Sequence, residues 1–133
     1  LQDDSVLIDD SVYIYGRADS RHPGRGLSKR KTPEQIMDSL DRSKPVIVIA
    51  HEPDELGELS DAGVDVDLCG HTHDGQMFPG NLTTALAWEN SYGYLNKNGL
   101  PNIVTSGVGI FGPDMRVGTI AEICPITIKF NKQ

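Results

Sequence analysis

The chain has 133 residues, room for one compact domain and not for two. Hydrophobic residues make up 38% and charged ones 23%, with 14 Gly and 8 Pro, so disordered, collagen-like and coiled-coil classes are excluded. The net charge of -7 argues against a specific nucleic-acid binder, which needs Lys and Arg to neutralise phosphates. The longest apolar run, Val46 to Ala50, is too short to cross a bilayer. Two isolated cysteines, Cys69 and Cys124, build no disulfide framework; both are expected as free thiols in the interior. Leu1 stands where a methionine would, with no signal-peptide layout after it, so a processed chain, a trimmed one or a fragment is expected.

Ser5–Ile8 and Ser11–Tyr15 are β-prone runs around Asp9-Asp10 and predict a hairpin. A polar loop over 16–31 follows, broken by Pro23, Gly24 and Gly26. It holds Arg21, His22, Arg25, Lys29, Arg30 and Lys31 and no acid between Ser20 and Lys31. Such a cluster suits either a solvated loop or an anionic substrate or lipid headgroup. Thr32-Pro33-Glu34 opens a helix with a capping hydroxyl, a proline at the first position and an early acid. Its apolar face is Ile36, Met37 and Leu40, and it ends before Pro45. Val46–Ala50, continuous and β-branched, predicts a strand buried on both faces. A second helix is expected over Asp54–Asp61, with Gly63 beyond its end, and a second strand over Val64–Cys69. Strand, helix and strand at this spacing predict parallel neighbours with a right-handed crossover. A long loop over Gly70–Gly99 is expected next, then strands near Asn102–Ser106 and Thr119–Lys129, the last one interrupted by Pro125. The class is α/β with a mixed sheet.

Three of the four histidines fall where an α/β protein places its chemistry, beyond the carboxyl ends of strands. His51 follows Val46–Ala50. His71 and His73 follow Cys69 in the run Gly70-His71-Thr72-His73-Asp74-Gly75-Gln76. Neighbouring strands lie about 4.8 Å apart, so the three imidazoles converge on one region. In an extended segment His71 and His73 point to the same side, and Gly70 and Gly75 let the backbone turn closely around them. Neutral imidazole is a common ligand for zinc, manganese and iron, so a metal site is expected from His51, His71 and His73. Three histidines alone also suit a mononuclear zinc site with one open position.

Gly70-His71-Thr72-His73, with His51 twenty residues earlier on a buried strand, resembles the carboxyl-terminal half of a calcineurin-like metallophosphoesterase. Gly75-Gln76, Ser106-Gly107-Val108-Gly109 and the Arg116–Ile123 segment are similar to the branch whose signature runs Gly-His-Thr-His-Gly-Gly-Gln. The resemblance covers almost the whole chain. It implies a share in a four-layer α/β/β/α sandwich with mixed sheets. It also implies a dinuclear centre of two divalent ions (Mn, Zn or Fe), with His51 and His71 on one and His73 on the other. A phosphoester substrate of lipid or nucleotide kind is implied, hydrolysed as a phosphomonoester, phosphodiester or pyrophosphate by a metal-bound hydroxide.

The family's Asp-x-His, Gly-Asp-x-x-Asp and Gly-Asn-His-Asp/Glu motifs are absent from these 133 residues. The resemblance therefore implies a partner, the amino-terminal half of the domain, without which the chain binds at most one metal weakly and does not hydrolyse phosphoesters. Relatives of this branch are often tethered to membranes through amino-terminal hydrophobic segments. A half-domain would expose apolar surface and form homo-oligomers or aggregates. Asp74 stands where the branch has glycine and either orients His73 or a water or faces solvent. Arg116 either faces phosphate or packs back on the tail. Trp88, Tyr92 and Tyr94 wall a pocket or anchor the long loop, and Asp19 is expected to be structural. The rival readings are a complete mononuclear three-histidine zinc enzyme and a non-catalytic binding or assembly module of the same fold.

Overall fold

A computed structural model describes residues 1–22, 24 and 29–129. Pro23, Arg25 and Gly26 of the basic loop lie outside them. The chain begins with the expected hairpin, β1 (Asp4–Ile8) and β2 (Val12–Gly16), paired antiparallel. Asp9 and Asp10 both adopt positive φ, 47° and 53°, and the Ser11 N–H donates to Ile8 O, so the three-residue loop between the paired Ile8 and Val12 starts with a tight turn. Helix α1 (Pro33–Asp38) has a complete capping box. The Thr32 hydroxyl accepts from the Gln35 N–H while the Gln35 side chain accepts from the Thr32 N–H. Strand β3 (Val46–Ile49), helix α2 (Leu56–Ala62) and strand β4 (Val66–Cys69) form the predicted crossover, with β3 and β4 parallel. Gly63 closes α2 at φ 85°.

Beyond Cys69 the structure departs from the expected loop. Residues 70–99 contain a 3-10 turn (His73–Gly75), helix α3 (Gly80–Ala87) and strand β5 (Gly93–Lys97). β5 turns back through Asn98-Gly99 to pair antiparallel with β6 (Leu100–Val104). The strand order is β1-β2-β3-β4-β6-β5: β2, β3, β4 and β6 run parallel, with an antiparallel strand at each edge. This is a mixed six-stranded sheet of an α/β protein. No helix among the described residues is long and apolar enough to cross a membrane.

Register sorts the sheet into two faces. Tyr13, Tyr15, Val46 and Val48 share the face that meets Ile36 and Met37 of α1 and Leu56 and Leu59 of α2, and this is the core. The other face carries two apolar rows. Val6, Ile14, Ile47 and Val66 form one, and Ile49, Leu68, Ile103 and Tyr94 the other. No helix covers it among the described residues. On this face Ile47 is buried and Ile49 is 46% exposed, so β3 is buried on both faces except at its carboxyl end.

The expected strand over Thr119–Lys129 does not form. Residues 118–129 cross over the second face, where Ile123, Cys124 and Ile126 enclose a cavity of about 460 Å³ with Ile49, Leu68 and Ile103. A strand needs a hydrogen-bonding neighbour beside it, and a segment lying on a face has none. Both cysteines are free. Cys69 is buried as expected, while Cys124, taken as core, is exposed on this segment.

Candidate functional site

Parallel pairing of β3 and β4 brings His51 and His71 together. The ladder continues past the strand ends, Ala50 N–H donating to Leu68 O and Gly70 N–H to His51 O at 3.2 Å. His51 Nε2 then lies 2.9 Å from His71 Nδ1, with the rings edge to face. One nitrogen of this pair carries a proton and the other accepts it. Partial burial, aided by His51 and Arg21 nearby, holds the His71 imidazole below its ordinary pKa and so favours the neutral, ligating form.

The run after His71 is not extended. His71, His73 and Asp74 all have φ between 52° and 65°, so the two histidines are carried by a tight left-handed turn and not by a strand. Such a concentration of non-glycine left-handed residues is the kind of strain that a fold retains at functional sites. Gly75 also has positive φ, and a Cβ there would collide with the backbone of Asn81 at the start of α3. A Cβ on Gly70 would meet only Thr105 O at 3.9 Å, an ordinary contact, so the close approach rests on Gly75.

His51, His71 and His73 line one cavity of about 530 Å³ with Thr72, Gln76, Thr84, Trp88, Ile110 and Phe111. His73 does not join the other two rings. Its Nδ1 faces Arg116 Nη2 at 3.4 Å. Among the described residues no three His, Cys, Asp or Glu side chains are already arranged to hold a metal ion. Arg116 does not line the cavity. Its guanidinium faces carbonyls, those of His73 at 3.2 Å, Ser106 at 2.7 Å, Gly107 at 3.0 Å and Gly109 at 2.6 Å. It binds the glycine-rich segment to the histidine turn. The Asp74 carboxyl has no hydrogen bond to His73 among the described residues. Burial and the nearby Glu122 push its pKa up. Asp19 is structural, accepting from the N–H groups of Arg21 and His22.

Two further polar side chains are buried beside the histidine turn: Glu52, which sequence reasoning did not single out, and Gln76, which it named only within the motif. Glu52 is buried, with Oε1 3.7 Å from His71 Nε2 and Oε2 accepting from the Ser20 hydroxyl at 2.6 Å. A carboxylate beside one imidazole nitrogen favours a proton there and leaves the other nitrogen free to ligate. Gln76 is buried too. Its amide donates to Phe111 O and Pro113 O and accepts from Phe111 N–H, folding residues 111–113 over the histidine turn. The one available signal for Glu52 was a charge directly after a strand-end histidine.

Of the three aromatic candidates, only Trp88 walls the cavity, edge to face with His71 at 5.7 Å between ring centres. Tyr92 donates to Glu122, and Tyr94 lies on the second face of the sheet. The segment carrying Trp88 is held at two points. Thr72 Oγ1 donates to Ser91 O at 2.6 Å, and the Asn90 amide donates to Asn102 Oδ1 at 2.6 Å.

Two imidazoles thus meet beyond the carboxyl ends of adjacent parallel strands, and a third, on the turn that Gly75 closes, lines the same cavity. The chain is 36% identical over 92 residues, 68% of its length, to a metallophosphoesterase of Helicobacter pylori strain J99, of which the match covers 25%. It is 35% identical over 124 residues to one from Campylobacter jejuni, covering 91% of this chain and 32% of that protein. A protein of the same description from Aquifex aeolicus is 30% identical over 131 residues, 97% of this chain and 50% of its own length. The chain belongs to the calcineurin-like metallophosphoesterases and matches the carboxyl-terminal part of its relatives. It spans between a quarter and a half of the length of these relatives. No protein-family profile and no solved structure matches it.

Proposed function

We propose that this chain supplies the histidine side of a dinuclear phosphoesterase centre, His51 and His71 on one divalent cation and His73 on a second. The observation that carries the reading is the His51–His71 pair, 2.9 Å between ring nitrogens. Zinc–nitrogen bonds of about 2.0–2.1 Å at a tetrahedral angle put two ligand nitrogens about 3.3–3.4 Å apart. The rings need separate by only a few tenths of an ångström, so the donor set fits a shared cation. The place of His73, turned toward Arg116 and away from the pair, supports a second position over one three-histidine site.

Two divalent cations would supply an activated hydroxide and neutralise charge on the phosphoryl oxygens. The chain's own residues prepare for this. Glu52 holds the proton of His71 on Nε2 and leaves Nδ1 toward His51. Arg116 fixes the backbone of His73, and Trp88 excludes water from one side of His71. Bridging carboxylates come from the remaining part of the domain in this reading, and that part also covers the apolar second face as the other two layers of a sandwich. Alone, the chain binds cation weakly and does not turn over phosphoesters.

Trp88 is the only tryptophan and sits against His71, so it reports on the site directly. Titration with Co²⁺ is expected to quench its emission saturably, and His71→Ala to abolish that phase. Adding the amino-terminal part of a longer family member should tighten the titration and bring phosphodiesterase activity. Quenching that is indifferent to both His51→Ala and His71→Ala would refute the assignment.

A further inference from the structure

Arg116 does more than tie two segments together, because of what surrounds one of its nitrogens. Nη2 stands 2.7 Å from Ser106 O, 3.0 Å from Gly107 O and 2.6 Å from Gly109 O, with His73 Nδ1 at 3.4 Å. A terminal guanidinium nitrogen has fewer protons than that to give. Three carbonyl oxygens and an imidazole nitrogen around a positive nitrogen form a cation cage, and every acceptor in it is neutral. The cage is fixed from outside. Ser106 is buried, its N–H donating to Glu122 Oε1 at 3.0 Å and its hydroxyl to Ile120 O at 2.7 Å. Gly107, at φ 65°, turns the chain so that its carbonyl also accepts from the Glu122 N–H.

The chemistry of His73 follows from its neighbour. A guanidinium has donors only and stays charged. The ring nitrogen that faces it therefore brings a lone pair, and the neutral imidazole carries its proton on Nε2. In that state neither nitrogen is free for a metal, since Nε2 bears the proton and Nδ1 is turned to Nη2. The other tautomer would free Nε2 but aim Nδ1–H at the guanidinium, donor against donor. His51 and His71 stand differently. Their nitrogens face each other at 2.9 Å, and the group beside His71 Nε2 is the Glu52 carboxylate at 3.7 Å.

Resting on the phosphoesterase reading, we propose that Arg116 gates the second cation position. Its guanidinium is a resident cation on His73 Nδ1, and His73 becomes a ligand only when Arg116 withdraws. The His51–His71 position fills with Arg116 in place, so the two positions are unequal and fill in order.

The test is proton–nitrogen correlation NMR of the histidine rings at about pH 8, above the ordinary imidazole pKa. His73 is assigned by the signal missing in His73→Gln. Before metal is added, His73 is expected to show a protonated Nε2 and a bare Nδ1. Zn²⁺, which is diamagnetic, should shift the ring nitrogens of His51 and His71 and leave those of His73 in place. In Arg116→Met, His73 should respond too, with an apparent Zn²⁺ dissociation constant at least about tenfold lower than in the unsubstituted chain. That substitution also frees the glycine-rich segment, so its fold is checked by the amide spectrum of the sheet. The tautomer needs no substitution and decides by itself where the variant does not fold. A proton on His73 Nδ1 overturns the proposal, as does a silent His73 in folded Arg116→Met. Response of all three histidines together in the unsubstituted chain overturns the gate and leaves the phosphoesterase reading standing. Silence of His51 and His71 refutes that reading, and the gate falls with it.

Discussion

Glu52 and Asp67 are both buried carboxylates, one beside His71 and the other within β4. Glu52 has one oxygen satisfied by Ser20 and the other toward His71 Nε2. Glu52→Gln keeps the shape and removes the charge 3.7 Å from His71 Nε2. The Co²⁺ dissociation constant is expected to rise about tenfold, read by Trp88 quenching, and an unchanged constant would reduce Glu52 to packing. Asp67 is fully buried, accepting from the Cys69 thiol at 3.2 Å and the Asn102 amide at 2.8 Å, with Oδ1 unpartnered. Burial pushes its carboxyl pKa up. The folded state therefore holds a proton that the unfolded chain releases near pH 4, so this group's stabilisation is complete below that pH and declines as pH rises toward the folded value. Asp67→Asn should remove that slope and raise stability at neutral pH by about 1 kcal/mol, checked by urea unfolding across pH. The three histidines were legible because strand ends are marked locally by apolar runs and glycine. Glu52 and Asp67 were not, since their roles depend on what returns beside them from elsewhere in the chain; Gln76 was legible as a motif residue, but its hold on Phe111 and Pro113 was not.

At the scale of elements, legibility follows how local the signal is. The cap of α1 lies within four residues, β3 is an apolar run bounded by breakers, and β4 is marked by alternation that Gly63 and Gly70 bound; all three formed, β4 as Val66–Cys69. Strand β5 was missed although Asn98-Gly99 is the strongest short hairpin signal a sequence offers, because Gly93–Lys97 alternates only weakly. Its position matters to the site, for Asn90 just before it joins Asn102 and, through it, Asp67. That buried chain of amides holds the segment from Trp88 to Tyr92 against the histidine turn. Asn90→Ala is expected to cost about 1 kcal/mol and to shift Trp88 emission to the red as the indole leaves His71, with far-UV dichroism unchanged. An unshifted emission would mean that Thr72 and Ser91 suffice. Gly75→Ala meets both a positive φ and the backbone of Asn81, so a loss of about 2 kcal/mol together with loss of Co²⁺ quenching is expected.

For the whole molecule the decisive feature is the unequal treatment of the two sheet faces. One is sealed by α1 and α2; the other carries rows of Val, Ile and Leu crossing five strands and is partly covered by residues 118–129. Local patterning cannot report this, since an apolar strand reads the same whether its second face meets a helix, another sheet or solvent. Ile49 sits at the carboxyl end of β3 on that partly covered face, two residues before His51, so whatever packs there also borders the histidine cavity. This links stability to chemistry. On the proposed reading, the part of the domain that covers the second face would bring the missing carboxylates to the histidine cavity. The chain by itself is expected to bind a hydrophobic dye and to self-associate. The amino-terminal part of a longer family member should suppress both and lower the Co²⁺ dissociation constant by about tenfold or more. Sedimentation with dye binding and Trp88 quenching in one titration checks the linkage. If dye release and tighter metal binding occur at different stoichiometries, covering the face and completing the centre are separate events, and the second face is not the route by which the missing ligands arrive.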